Sequence, residues 1–321
     1  MTLSRIAALV VALLAVLAGD GAAQSDYPSR QIEFVIAYAP GGPVDTAIRV
    51  IQPALAAALG VPAVLVTKAG AGGALAMDFT AKSKPDGYTV AVTANPTMSI
   101  LPAIRSDLPY KPSDLQPIGT FAVDSQGIVA KAGGPFGTFE EFIEYAKKNP
   151  GKLSYGSPGM GTVSFFNMEI LKAAYGLDIA HVPFAGSGPV KNALMGGHVQ
   201  VAGTALSPVL AVIRSGDVVP LVTTSPRPLP GVKAPSMADK GFREATLSTN
   251  MQLYVPAQTP REVVVRLGRA LETAMKNPAV VAAMEKTGML AEFLDGEATR
   301  KAIDAEAQAV ARVVKKLNLA K

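Results

Sequence analysis

Four short glycine-bearing segments carry the residue types best suited to chemistry in this sequence. They are Ala39-Pro40-Gly41-Gly42-Pro43-Val44-Asp45-Thr46, Ala69-Gly70-Ala71-Gly72-Gly73, Gly156-Ser157-Pro158-Gly159-Met160-Gly161-Thr162 and Phe184-Ala185-Gly186-Ser187-Gly188-Pro189. Each follows an apolar run of strand character and precedes a stretch of helical periodicity. Glycine lets a backbone approach a ligand closely, and a helix N-terminus offers unpaired N–H groups with a partial positive charge. Such segments can hold a carboxylate without any Arg or Lys. One charge-assisted hydrogen bond contributes about 1.5 to 3 kcal/mol, and three or four approach the ~8 kcal/mol of a micromolar complex. A single glycine loop is equally a tight turn; the recurrence across the chain is what points to a binding edge.

Other reactive groups are sparse. The absence of cysteine excludes disulfides, thiolate metal sites and Cys nucleophiles. His181 and His198 stand on separate segments with no third ligand, so neither a metal nor a cofactor is expected. Serines are plentiful, yet no G-x-S-x-G elbow occurs, and no catalytic residue is expected. Asp45 reads as the N-cap of a helix starting at Thr46, the sharper alternative being a carboxylate that binds an ammonium group. Phe165, Phe166 and Met168 read as core, and Phe184 as core or as a ring stacked on the apolar body of a ligand.

The elements that must position these loops follow from composition and pattern. At roughly 150 residues per domain, 321 residues suggest about two domains. With 30 Lys+Arg against 25 Asp+Glu the net charge is +5. The cations are dispersed, the tightest pairs being Lys147-Lys148 and Lys315-Lys316, and no aromatic-interleaved basic stripe exists, which excludes nucleic acid as a partner. At the N-terminus Arg5 precedes the apolar run 6–18, and Gly21-Ala22-Ala23 precede Gln24, the layout of a secretory signal peptide (residues 1–23) cleaved after Ala23. That apolar run spans only ~20 Å as a helix against a ~30 Å hydrocarbon core, so no membrane insertion is expected after cleavage. A secreted chain without disulfides suits a bacterial periplasm.

Strands are expected at 32–39, 63–66, 88–93, 127–130, 153–155, 179–182, 199–202, 218–222 and 251–255. Helices are expected at 46–59, 74–81, 138–148, 163–175, 189–195, 208–215, 260–275, 278–287 and 297–317. Strand-helix-strand spacing implies right-handed crossovers and parallel sheets. Proline-rich stretches at 96–117 and 226–235 break the rhythm, and the last helices lack a sheet of their own. The fold class expected is therefore α/β, a two-lobed binding protein with a central cleft and two hinge crossings. Residues 24–118 with 229–321 form one lobe and 119–228 the other, joined near 119–123 and 223–228.

Tyr27-Pro28 and the strand running into Tyr38-Ala39-Pro40-Gly41-Gly42, with Asp45-Thr46, resemble the opening signature of the Bug family. These are the periplasmic solute receptors of tripartite tricarboxylate transporters. The resemblance continues in order through Gly70-Ala71-Gly72-Gly73, Pro85-Asp86-Gly87-Tyr88-Thr89, Gly151-Lys152-Leu153-Ser154-Tyr155-Gly156-Ser157, His181-Val182-Pro183-Phe184, Gly196-Gly197 and Thr224-Ser225. It implies two lobes of the periplasmic binding protein type, a small organic carboxylate held by backbone amides and bridging waters, and delivery to membrane transporter subunits by a monomeric receptor. The ligand-binding positions implied are Tyr38, Pro40, Gly41, Gly42, Val44, Asp45, Thr46, Ala71, Gly72, Thr93, Asn95, Gly156, Ser157, Gly159, Gly161, Thr162, Phe184, Ala185, Gly186 and Thr204. The chain departs from the family pattern with Pro43 in place of a third glycine and Thr67-Lys68 in place of Asn-Arg. It also has Ser164-Phe165 where histidines often stand, and Phe184-Ala185-Gly186 where an aromatic-Lys-Gly is usual. These departures imply an atypical or less charged ligand, and citrate-class specificity does not carry over. A sensor subunit feeding a membrane kinase and a periplasmic hydrolase are the alternative functions.

Overall fold

The computed structural model describes residues 27–225, 229, 231–242 and 247–317. The leader at 1–23, the mature start at Gln24 and residues 226–228 of the second expected crossing lie outside the described residues.

Apolar runs bounded by glycine and proline form the strands of two sheets. The first contains β1 (Ile32–Ile36), β2 (Ala63–Thr67), β3 (Thr89–Ala94), β4 (Leu115–Asp124), β10 (Thr249–Pro256) and β11 (Leu290–Asp295), in the order β11-β4-β10-β3-β1-β2. The second contains β5 (Gln126–Lys131), β6 (Leu153–Ser157), β7 (Ile179–Pro183), β8 (Val201–Ala205) and β9 (Val218–Thr223), in the order β7-β6-β8-β5-β9. β1 is parallel to β2 and β3, and β6 is parallel to β7 and β8. The remaining pairings are antiparallel, so both sheets are mixed and the expectation of parallel sheets is corrected.

Helices cover the sheets. α1 (Pro43–Leu59) begins with Pro43, whose fixed φ suits the first turn, and ends at Gly60 with φ 78°, where the Gly60 N–H bonds Ala56 O. Its buried Val44, Ile48, Ile51, Leu55 and Leu59 recur at helical spacing and join the first core, each contributing about 1.5 to 3 kcal/mol. α2 (Ala74–Ala81) and the short α3 (Leu101–Ile104) follow; α4 (Phe139–Lys148), α5 (Val163–Tyr175), α6 (Ser187–Met195) and α7 (Leu210–Arg214) belong to the second sheet. α8 (Arg261–Met275) and α9 (Pro278–Lys286) pack against α1, and α10 (Gly296–Leu317) closes the described chain.

Three features differ from the sequence reading. Residues 119–123, expected as a crossing, lie inside β4, and the chain changes sheet at Ser125. The strand is obscured by Gly119, which is required because a Cβ there would stand 2.7 Å from Leu294 O. β11 falls where the pattern suggests only a linker between helices, yet it pairs with β4 at the sheet edge. Finally, α10 does not stay with the first sheet: Val310, Val313 and Val314 pack in the second core beside Phe166, Met237 and Ile100.

The sheet change carries a buried acid. Asp124 is fully buried at the end of β4, and its carboxylate accepts from Ser207 Oγ at 2.5 Å and Ser207 N at 3.3 Å. Burial pushes this carboxyl up to about 7, against the opposing hydrogen bonds from Ser207 and Leu206. The folded state therefore binds the proton more tightly than the unfolded chain. The stability this confers is complete below about pH 4 and is lost as the pH rises from there through about 7. Urea denaturation of the Asp124→Asn variant should remove a pH-dependent difference on the order of 2 to 4 kcal/mol between pH 4 and 8. Identical pH profiles for the two proteins would show that Asp124 does not titrate this way.

Candidate ligand-binding cleft

All four glycine loops leave the C-terminal ends of strands in the parallel part of each sheet, after β1, β2, β6 and β7. Ligands bind at that edge of an α/β sheet, because the helices that follow begin there. The N-caps of α1, α2 and α6 are Gly42, Gly73 and Gly186, and none of them supplies a side-chain cap. The Ala74 N–H of α2 is taken by Ala71 O, so the first turns of α1 and α6 carry the N–H groups that no cap side chain satisfies.

In the first loop Gly41 takes φ 79° while Gly42 is extended at φ −80°, so the positive-φ requirement lies at Gly41. Pro40 and Gly41 are exposed, Val44 is buried and Thr46 N–H bonds Gly42 O. The reading of Asp45 as N-cap is corrected: the helix starts at Pro43, and Asp45 lies in its first turn. Its carboxylate accepts the Gly41 N–H at 2.9 Å and pairs with Arg49 at 2.8 Å. Burial pushes that carboxyl up, but the bonds from Arg49 and Gly41 outweigh it and hold the pKa below the usual range. An acid already paired in this way is a brace for the loop, which weakens the ammonium-binding alternative.

The second loop is a run of positive φ angles at Gly70, Ala71, Gly72 and Gly73. Ala71, at φ 49°, is the non-glycine member and is exposed. A Cβ on Gly73 would stand 2.8 Å from Thr97 Cγ2 and 3.4 Å from Tyr38 Cζ. The loop thus lies on the Tyr38 ring. Thr93, fully buried, bonds Thr97 and Tyr38, and burial pushes the Tyr38 hydroxyl up to about 12. Asn95 is committed inside the protein: its Oδ1 accepts Asn250 N–H at 2.8 Å, and its Nδ2 donates to Ser248 O and to the Glu306 carboxylate at 2.8 Å. Ser99 Oγ donates to the same carboxylate, and burial pushes Glu306 up. Asn95 therefore anchors α10 beneath the cleft.

In the third loop Thr162 is the N-cap of α5; its Oγ1 donates to Gly159 O at 2.8 Å and accepts Phe165 N–H at 3.3 Å. Gly159 and Gly161 take φ 124° and 83°. Gly156 lies under Phe184, whose Cε2 would be 3.1 Å from a Cβ there. Phe184 N–H bonds Ser157 O at 2.9 Å, which joins the third and fourth loops. Ala185 is exposed and Gly186 holds φ 126° ahead of α6. The β6–β8 register, Gly156 beside Ala202, carries Thr204 to the same edge. Thr204 is fully buried and its Oγ1 has no partner within the protein, a polar group left for a ligand or water.

Two features escaped the sequence. Leu101, in the proline-rich stretch that breaks the strand-helix rhythm, joins loops from both sheets: its methyls would be 3.3 Å from a Cβ on Gly72 and 2.8 Å from one on Gly161. Ser157 Oγ lies 2.8 Å from His181 Nε2, a pairing that only the β6–β7 register reveals, Tyr155 standing opposite His181. His181 stacks on Tyr155 and meets the Phe165 ring at a tilt, its centroid 4.9 Å away, and burial lowers its pKa, favouring the neutral ring. The pair has the form of a nucleophile and base, but Glu169 bonds the Tyr155 hydroxyl and Lys172, leaving no acid to orient the imidazole, and Ser157 is fully buried. Among the described residues no cluster of three or more His, Asp or Glu could hold a metal.

Several cations around the loops have their own partners, whereas Lys191, on α6 just after the fourth loop, forms no salt bridge among the described residues. Arg49 pairs with Asp45, Arg105 with Asp107 and Lys172 with Glu169, and Lys68 Nζ sits 4.1 Å over the Phe79 ring. The edge can therefore hold an anion through backbone N–H groups and buried hydroxyls. As Thr162 acts as a cap, Thr162→Ala should cost about 1 kcal/mol in chemical denaturation. An unchanged midpoint would mean that the cap contributes nothing.

Comparison with known proteins places this geometry. The profile described as "TctC: Tripartite tricarboxylate transporter family receptor" matches residues 47–319. The chain is 31% identical over 318 residues to the UPF0065 protein in the gbd 5'region of Cupriavidus necator, covering 98% of this chain and 96% of that one. Its fold is similar to the structure of the periplasmic binding protein BugD (TM-score 0.83, 27% identity, 92% of this chain and 100% of that one). It is also similar to MatC of Rhodopseudomonas palustris with bound malate (TM-score 0.82, 26% identity, 90% and 100%). No helix among the described residues is long and apolar enough to cross a membrane. With the two mixed sheets, the glycine loops at one edge and a profile match along nearly the whole chain, this protein belongs to the TctC/Bug family of periplasmic solute receptors.

Proposed function

We propose that the protein captures a small carboxylate-bearing molecule between two lobes and delivers it to the membrane subunits of a tripartite tricarboxylate-type transporter, catalysing no reaction. One lobe is built on each sheet, with the boundary moved from the expected 119–123 to Ser125, and the chain acts as a monomer. The observation that carries this reading is the pair of glycine-capped N-termini of α1 and α6, one at the strand ends of each sheet, whose first turns have no side-chain cap. Malate bound in MatC supports a carboxylate as the ligand class. Closure would rotate one lobe on the other about Ser125 and the returning segment after β9.

A thermal-shift screen over mono-, di- and tricarboxylates and aromatic acids should find a ligand that stabilises the fold by ~2.7 kcal/mol at 100 times its dissociation constant. With that ligand, Gly41→Val and Gly159→Val should abolish binding, since both glycines hold positive φ at the edge. Lys68→Met should bind nearly as wild type. A loss beyond ~3 kcal/mol in Lys68→Met, with the glycine variants still binding, would replace the backbone cradle with a salt bridge. The mature chain should begin at Gln24 and fractionate with the periplasm; an intact mass retaining residues 1–23 after expression in a secreting host would refute the leader.

A further inference from the structure

A groove of about 410 Å³ lies on the first sheet, apart from the four glycine loops. Its floor is Pro117 and Ile118 of β4 with Phe293 of β11; one wall is α8 and the other the first turn of α10. The size is informative, because a cavity of about 150 Å³ already accepts benzene.

Two observations give the groove a chemistry. The carboxylates on its rim are already satisfied: Glu272 pairs with Lys276 at 2.7 Å, Glu297 pairs with Lys301 at 2.6 Å, and Asp295 Oδ1 accepts the Ala298 N–H at 2.8 Å. Arg269 and Arg300 on the same rim form no salt bridge among the described residues, so their guanidinium donors are open to a ligand anion. The second observation is Gly268. It sits within α8, where glycine costs roughly 1 kcal/mol against alanine. No positive φ requires it, and a Cβ would meet Ile118 O at an ordinary 3.8 Å. A Cβ would fit here, and without one the bare backbone leaves this part of the α8 wall open.

We propose that this groove is a second binding site, taking an organic anion with an apolar, ring-sized body. The ring lies on Ile118, Val264 and Phe293 over Gly268, and the anion meets Arg269 and Arg300. The site is built from one sheet, so it is independent of the cleft reading.

The test is an NMR shift titration of the mature chain with 2-naphthoate. Saturable shifts are expected at Ile118, Gly268 and Phe293, with the loops 41–46 and 156–162 unmoved. Gly268→Leu, which fills the groove with a better helix former, should weaken binding at least tenfold while the melting temperature holds or rises. Arg269→Gln with Arg300→Gln should weaken it at least tenfold, and the neutral analogue 2-naphthalenemethanol should bind at least tenfold more weakly than the acid. No saturable binding, shifts confined to the cleft loops, or unchanged affinity in Gly268→Leu would each overturn the site. Equal binding of acid and alcohol would overturn its anion specificity.

Discussion

The candidate cleft depends on parallel strand pairing. A parallel pair cannot be closed by a hairpin, so the chain must cross over through a helix, and each such helix starts at the edge where its strand ended. β1 beside β2 and β3, and β6 beside β7 and β8, therefore bring successive helix N-termini to one edge of each sheet. The antiparallel strands β4, β10, β11, β5 and β9 extend the sheets without adding helix N-termini to that edge.

The carboxylates near this edge are committed to partners within the protein. Asp45 is committed to Arg49 and the Gly41 N–H, and Glu306 to the amide of Asn95 and the hydroxyl of Ser99. A buried carboxylate without a cation costs several kcal/mol unless hydrogen bonds satisfy it, and here neutral donors do so. What remains at the edge are peptide dipoles and the unpartnered Thr204 hydroxyl, weaker individually than an arginine but fixed in direction by the fold.

α10 complicates a simple picture of two rigid bodies. Its middle is held under the first sheet through Glu306, while Val310, Val313 and Val314 are in the second core. Ile100 reaches the same core from the first sheet's side, and Leu101 touches loops of both. Any rotation between sheets must slide or bend these contacts, so the relative position of the lobes is set by apolar packing as well as by the strand connections.

The sequence determined the parts governed by local rules. Helix 163–175, opened by the Thr162 cap and closed by Gly176, and helix 74–81, set between a glycine loop and a turn, were legible to the residue because these signals are local, and the glycine loops because each lies between a strand and a helix. Gly119 and the non-alternating, acid-bearing run 290–295 hid two strands, since neither shows the period-2 pattern that marks a strand. The partnerships were decided only by the tertiary structure: Ser157 with His181 across a strand register, Asn95 with Glu306 across 211 positions, and Leu101 between two loops. Propensity and capping act within a few residues, whereas register and packing join residues whose separation along the chain has no bearing on their distance in space.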